Sequence, residues 1–156
     1  MASFKGKETF SLDNKGRVSL PAKMRKSIPE LAENTFVVTR GLDKCIFAYP
    51  INEWEEKHKK SLEELNQYDA QNRQFLRRML ECSEDVTLDS QQRITLPKDL
   101  LDWAGIESKV TIVGILDHIE FWDPATYDEY MNSCDESFES IASKVMVKPE
   151  NVSTKE

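Results

Sequence analysis

Cysteine, glycine and histidine are scarce in this chain of 156 residues. Its three cysteines, Cys45, Cys82 and Cys134, are odd in number and far apart. That argues against a disulfide framework and for a reducing compartment. No two of them have zinc-finger spacing, and His58 and His118 sit beside no second ligand in sequence. Five glycines offer no phosphate-cradling loop. No Ser, His and Asp set stands out, so an enzyme is not expected, nor any metal or cofactor. No run of about 18 apolar residues exists, so no membrane span is expected. The opening MASFKGKETFSL also lacks the apolar stretch of a signal peptide.

What the chain does have is a phrase stated twice. SLDNKGRVSLPAKMR at Ser11–Arg25 returns as TLDSQQRITLPKDLL at Thr87–Leu101. A shift of 76 positions lays Asp13 on Asp89, Arg17 on Arg93 and Pro21 on Pro97. A repeat of this length implies one structural unit used twice. Charge is also unevenly placed. The whole chain carries −7, yet residues 1–28 hold seven cations against two acids, while residues 117–156 hold ten acids against three lysines. One end can meet an anionic partner that the other repels.

Each unit reads as strand, turn, strand, short helix, strand, turn, strand, helix. Phe4–Leu12 and Val18–Leu20 are expected strands, with Asp13–Gly16 as a hairpin tip. Pro21 is expected to open a short helix that stops at Pro29. Thr35–Arg40 and Cys45–Tyr49 make a strand pair, and Pro50 opens a helix through Trp54. Leucines, Phe75 and Met79 at three-to-four spacing predict one long helix over Ser61–Cys82. The pattern restarts with Val86–Leu88 and Arg93–Leu96, a helix from Pro97 to Ala104 stopped by Gly105, and the paired KVTIVGI and HIEFW strands. Pro124 opens a final helix reaching Val145. The tail VKPENVSTKE has no apolar periodicity and reads as disordered. Each unit alone has few apolar residues, so the two are expected to share a core. Trp54, Trp103 and Trp122 follow apolar neighbours and are expected in core or interface.

The doubled D-x-x-x-R turn is the strongest functional signal. Asp at a turn start commonly caps backbone N–H groups, so Asp13 and Asp89 are read as structural. Lys15, Arg17, Lys23 and Arg25 are read differently. Four cations within eleven residues repel one another unless an anion offsets them. A β-ribbon fits the DNA major groove, where arginine can bind guanine bidentately. The second turn has Gln91 and Gln92 for Lys15 and Gly16, and Asp99 and Leu101 for Lys23 and Arg25. It is therefore expected to attract phosphate more weakly and to act more as scaffold.

These LD-x-x-x-R-[VI]-x-L-P units, with GLDKCIFAYPINEW, resemble the MraZ family of bacterial transcriptional regulators over about residues 1–146. The resemblance implies an α+β fold with a mainly β core, in which two AbrB-like (SpoVT-AbrB) swapped-hairpin units form a pseudo-twofold β-barrel with flanking helices. The expected segments are a first unit at 4–56, a connecting helix at 57–83, a second unit at 84–130, and a C-terminal helix and tail at 131–156. The resemblance further implies a ring-like homo-oligomer, cytoplasmic and nucleoid-associated, that binds double-stranded DNA. Its expected target is direct repeats in the promoter of the division and cell-wall gene cluster. The family motif falls on Asp13, Lys15 and Arg17, and on Asp89 and Arg93. With the cationic neighbours Lys7, Lys23 and Arg25, these are the expected DNA-binding residues. The second unit departs at Gln92, where the first has a glycine. Two rival readings remain open. One is a protein-interaction scaffold working through Ser61–Cys82 and the acidic last helix. The other is an antitoxin-like regulator, although such proteins carry one unit and a long disordered arm.

Overall fold

The structure, a computed structural model, describes residues 2–147. The expectation for the tail falls on 148–156, outside the described residues. The first unit contains β1 (Lys7–Ser11), β2 (Arg17–Ser19), α1 (Ala22–Arg25), β3 (Thr35–Arg40) and β4 (Ile46–Pro50). The short helices α2 (Ile51–Glu53) and α3 (Lys59–Glu63) follow, joined by a π-helical turn at Trp54–His58, and then α4 (Ala70–Leu80). The second unit contains β5 (Glu84–Thr87), β6 (Arg93–Thr95), α5 (Lys98–Ala104), β7 (Lys109–Ile115) and β8 (His118–Trp122). It ends in α6 (Pro124–Asn132) and α7 (Phe138–Val145).

Pairing is where the units become one object. Six strands form an antiparallel sheet in the order β1-β7-β8-β4-β3-β5, and β2 pairs only with β6. Exchanging each strand for its counterpart in the other unit reads the six-strand order backwards. Only β3–β4 and β7–β8 are pairs within a unit; β1–β7, β3–β5, β4–β8 and β2–β6 all cross between units. One expectation changes. Asp13–Gly16 is a turn but not a hairpin tip, because β1 and β2 leave it for different partners in the other unit. The expected barrel is not closed by hydrogen bonds: among the described residues the sheet ends at β1 and β5, and the β2–β6 ribbon stands apart.

The shared core follows from this pairing. Val18 and Ile94 of the ribbon, Phe36 of β3, Ile112 of β7, Phe121 of β8, and Met24 and Leu100 of the short helices are buried in one cluster. Neighbouring residues on the same strands point the other way. Val37, Phe47, Tyr49 and Val113 join Trp54 and Trp122 in a second cluster. Trp103 packs against the first cluster, with the Arg40 guanidinium 4.4 Å from its ring centre.

The helices show what local chemistry decides. Pro21, Pro50 and Pro97 sit one residue before their helices rather than inside them, each in extended conformation. The Pro21 carbonyl accepts from the Met24 and Arg25 N–H groups, at 3.0 Å each, so proline caps without needing a donor. Gly105 ends α5 with φ 71°, as its position predicts. The long helix expected over Ser61–Cys82 is broken. Asn66 accepts from the Tyr68 N–H, and Asp69 caps α4 by accepting from Gln71 and Asn72. These side chains compete with helical backbone bonds and win. The last helix breaks for the same reason, Ser137 capping α7 by accepting from Ser140 N–H.

Both histidines converge on one carboxylate. His58 Nε2 and His118 Nδ1 lie 2.9 Å from the two oxygens of Asp117, at the β7–β8 turn. His118 Nε2 is 3.7 Å from Glu120. Burial works to depress the His118 pKa, but the bonds to Glu120 and Asp117 outweigh it and raise it. The cluster ties the first unit's π-helical turn to the second unit's strand pair. Among the described residues, no group of three or more His, Cys, Asp or Glu side chains is arranged to hold a metal.

Candidate nucleic-acid interface

Each D-x-x-x-R sequence folds into the same closed turn. The Asp13 N–H bonds the Arg17 carbonyl at 2.9 Å, and the Gly16 N–H bonds the Asp13 carbonyl at 3.1 Å. The Asp13 carboxylate accepts from the Lys15 and Arg17 N–H groups, at 2.9 Å each, and from Arg17 Nε at 2.7 Å. Asp89 repeats this with the Gln91 and Arg93 N–H groups at 2.9 Å and Arg93 Nε at 2.8 Å. The structural reading of the two aspartates therefore has a geometric basis. Glutamine for glycine does not alter the turn, since Gln92 takes φ 62° where Gly16 takes 78°. Gly16 has a further constraint: a Cβ there would stand 2.9 Å from the Leu96 carbonyl oxygen.

These bonds set the charge state of the turns. The Arg17 backbone N–H, then its guanidinium and the Lys15 N–H, hold the Asp13 pKa at about 2, although partial burial opposes them. The Arg93 N–H leads the same downward shift at Asp89. A depressed carboxylate pKa stabilises the fold fully above the unfolded value near 4, and this is lost as pH falls towards 2. Asp13→Asn should therefore melt below the wild type at pH 7, and the gap should close on acidification from pH 4 to pH 2. Thermal melts across that range check it; a gap independent of pH would mean that the charge of Asp13 contributes nothing.

The ribbon then sets the two turns side by side. Arg17 pairs in register with Thr95, and Ser19 with Arg93, across β2 and β6. Arg93 Nη1 comes within 3.9 Å of Asp13, the other unit's aspartate. Four of the expected residues, Asp13, Arg17, Asp89 and Arg93, thus lie on one surface. The two arginines keep 29% and 25% of their side chains exposed, with Nε bonded to aspartate. Among the described residues, Arg17 Nη1 and Nη2 are bonded to no protein acceptor.

The other cations are redistributed by the swap. The Leu96 N–H bonds the Gly16 carbonyl at 2.8 Å, and the Leu20 N–H bonds the Gln92 carbonyl at 3.3 Å. Each ribbon strand therefore leaves past the other unit's turn. Helix α5 starts beside the first turn, and α1, with exposed Lys23 and Arg25, starts beside the second. The cations that the sequence attached to the first turn are shared between the two. Lys15 remains exposed at the first tip, where it lines a depression of about 420 Å³ with Lys98, Leu101 and Asp102. Lys98, paired with Asp102 at 3.0 Å, comes from the second repeat, and only the β2–β6 pairing brings it beside the first turn. Lys7 is not gathered here. It lies at the far end of β1, with Nζ 5.3 Å from the Tyr127 ring centre.

The comparisons with known proteins agree with this doubled architecture. A family model described as "MraZ protein, putative antitoxin-like" matches residues 3–78 and again 79–147. A relative from Natranaerobius thermophilus, named Transcriptional regulator MraZ, is 40% identical over 143 residues, covering 92% of this chain and 96% of the relative. With both repeats matched and nearly the whole length aligned, the chain belongs to the MraZ family.

Proposed function

We propose that this protein is a sequence-specific DNA-binding transcriptional regulator, whose paired D-x-x-x-R turns form the surface that meets DNA. The observation that carries the reading is the β2–β6 ribbon, which presents Arg17 and Arg93 together, each held in a fixed rotamer by its own aspartate. Pre-set guanidinium forks suit bidentate contacts to guanine or phosphate. Lys15, Lys23 and Arg25 supply sequence-independent attraction around them. The relative's name supports a role in transcription. Within that role the protein acts as a cytoplasmic, nucleoid-associated repressor, a ring-like homo-oligomer on direct repeats upstream of the division and cell-wall gene cluster. One ribbon neutralises few phosphates, so several ribbons on one assembly raise avidity through effective concentration.

Footprinting on DNA upstream of the protein's own gene tests this, with affinity measured from about 50 to 200 mM salt. The expected result is protection of evenly spaced direct repeats and affinity that falls steeply with salt. Protection without salt dependence, or none at all, would favour the protein-interaction scaffold instead. Among the described residues no helix is long and apolar enough to cross a membrane.

A further inference from the structure

The two turns of the ribbon share a backbone but not a chemistry. Each aspartate holds the same two N–H groups and its own arginine, and Gln92 takes the left-handed conformation that Gly16 takes. Gln91 therefore stands at the second tip where Lys15 stands at the first, and both are exposed. The Asp89 carboxylate accepts from the Gln91 and Arg93 N–H groups, so these two residues flank it. Among the described residues, Gln91 is held only through its backbone N–H, and its side-chain amide meets no protein partner.

Charge around the two tips is divided differently. At the second tip it comes from a helix. The Leu20 N–H bonds the Gln92 carbonyl, and α1 follows with Lys23 and Arg25 exposed. At the first tip the neighbouring helix is α5, which has Asp99 and Leu101 in place of those cations, and whose Lys98 is paired with Asp102 at 3.0 Å. There the turn supplies the charge itself, through Lys15. At the second tip α1 already supplies it, so a neutral residue can stand in the turn. An ammonium only donates, and phosphate oxygens satisfy it on any sequence. A glutamine amide both donates and accepts. In the major groove adenine sets an N7 acceptor beside an N6 donor, which matches that amide twice over. Guanine sets two acceptors there, and phosphate offers acceptors alone.

We propose that Gln91 is a base-selecting residue that reads adenine in the major groove beside the contact made by Arg93, while Lys15 anchors the first tip to phosphate without choosing a base. The proposal rests on the DNA-binding reading above and names the base that one tip selects. The ribbon is close to twofold in its backbone, yet its two ends then prefer different base pairs. That difference gives it a direction on DNA, so a repeat with an A·T pair at one end fixes which way round the ribbon lies. Phosphate contacts alone would hold it equally well in either sense.

Selection from a pool of randomised DNA duplexes, with full-length wild type and Gln91→Ala in parallel, tests it. Wild type should enrich a motif with an A·T pair fixed at one position of each repeat. Gln91→Ala should enrich the same motif with that position open to any pair. The turn should survive the substitution, because only the backbone N–H of Gln91 is bonded within the protein. On the wild-type motif, Gln91→Ala should bind about 5–100-fold more weakly, and changing the A·T pair to G·C should weaken wild type by a similar factor but the variant by no more than about twofold. The salt slope of Gln91→Ala should equal that of wild type. Lys15→Ala should lose affinity alike on every duplex, with a slope shallower by about one. An unchanged motif, a relaxed G·C position, loss of the whole motif or a shallower salt slope in Gln91→Ala would overturn the role of Gln91 and leave DNA binding standing. A single relaxed position in Lys15→Ala would overturn the division between the tips. A wild type that enriches no motif would overturn the DNA-binding reading as well.

Discussion

Replacing Arg17 by alanine should weaken promoter binding by about 10–100-fold, with the assembly unchanged in size. One bidentate arginine contact is worth about 1–3 kcal/mol of discrimination, and each 1.4 kcal/mol is tenfold in affinity. The fold should survive, because Asp13 keeps its bonds from the Lys15 and Arg17 backbone N–H groups after the side chain is gone. Read from the sequence, Arg93 has the smaller role, since Gln91, Gln92, Asp99 and Leu101 stand where the first unit has Lys15, Gly16, Lys23 and Arg25. The β2–β6 pairing shifts one part of that ground, the placing of Lys23 and Arg25. Helix α1 leaves past the second turn, so in the proposed interface Lys23 and Arg25 fall on the Arg93 side as Lys15 falls on the Arg17 side. Arg93→Ala should then cost within about threefold of Arg17→Ala. Fluorescence anisotropy with promoter and scrambled duplexes at two salt concentrations measures both variants. A loss confined to the promoter duplex marks base reading; an equal loss on both duplexes, with a salt slope shallower by about one, marks a phosphate contact. Unaltered affinity in both variants would end the assignment.

The sequence carried a good deal of this, in a particular way. Local chemistry was legible where one residue decides: Gly105 stopping α5, Asp13 and Asp89 bracketing their turns, Thr35–Arg40 as β3. It failed where short polar side chains outvoted apolar spacing. The three-to-four pattern bridges a gap from Leu65 to Phe75, and within that gap the side-chain bonds of Asn66 and Asp69 stop one helix and start the next. Pairing partners were the larger loss. Nothing in FSLDNKGRVSL tells whether its two strands pair with each other or with another unit, because alternation reports a buried face and not a neighbour. The site inherited that blindness. Asp13, Lys15 and Arg17 were visible as one motif, while the approach of Arg93 to Asp13, and of Lys98 to the first turn, depends on long-range pairing. The shared carboxylate of His58 and His118 likewise depends on contacts 59 residues apart and within one residue.

Cutting the chain between its repeats should abolish the folded monomer. A fragment holding residues 1–83 retains one ladder of its own, β3 with β4. It loses β7 from all five positions of β1, β6 from β2, β5 from β3 and β8 from the open side of β4. The backbone groups of those strands would return to water, and Phe36, Val18 and Met24 would face solvent where Ile94, Leu100, Ile112 and Phe121 now cover them. Burying a side chain of that size is worth about 1.5–3 kcal/mol, so uncovering even a few removes the whole of an ordinary domain's stability. The fragment can recover only by finding a second set of partners. Alone it should be unfolded or fold as a dimer in which each copy plays the missing unit; mixed with residues 84–156 it should regain the native circular dichroism signal as a one-to-one complex. Circular dichroism and sedimentation on the separate and mixed fragments distinguish these states. A fragment that folds by itself as a monomer would show that the two units do not depend on each other's strands. The shared ribbon would then be an accident of proximity, not the element that places Arg17 and Arg93 on one surface.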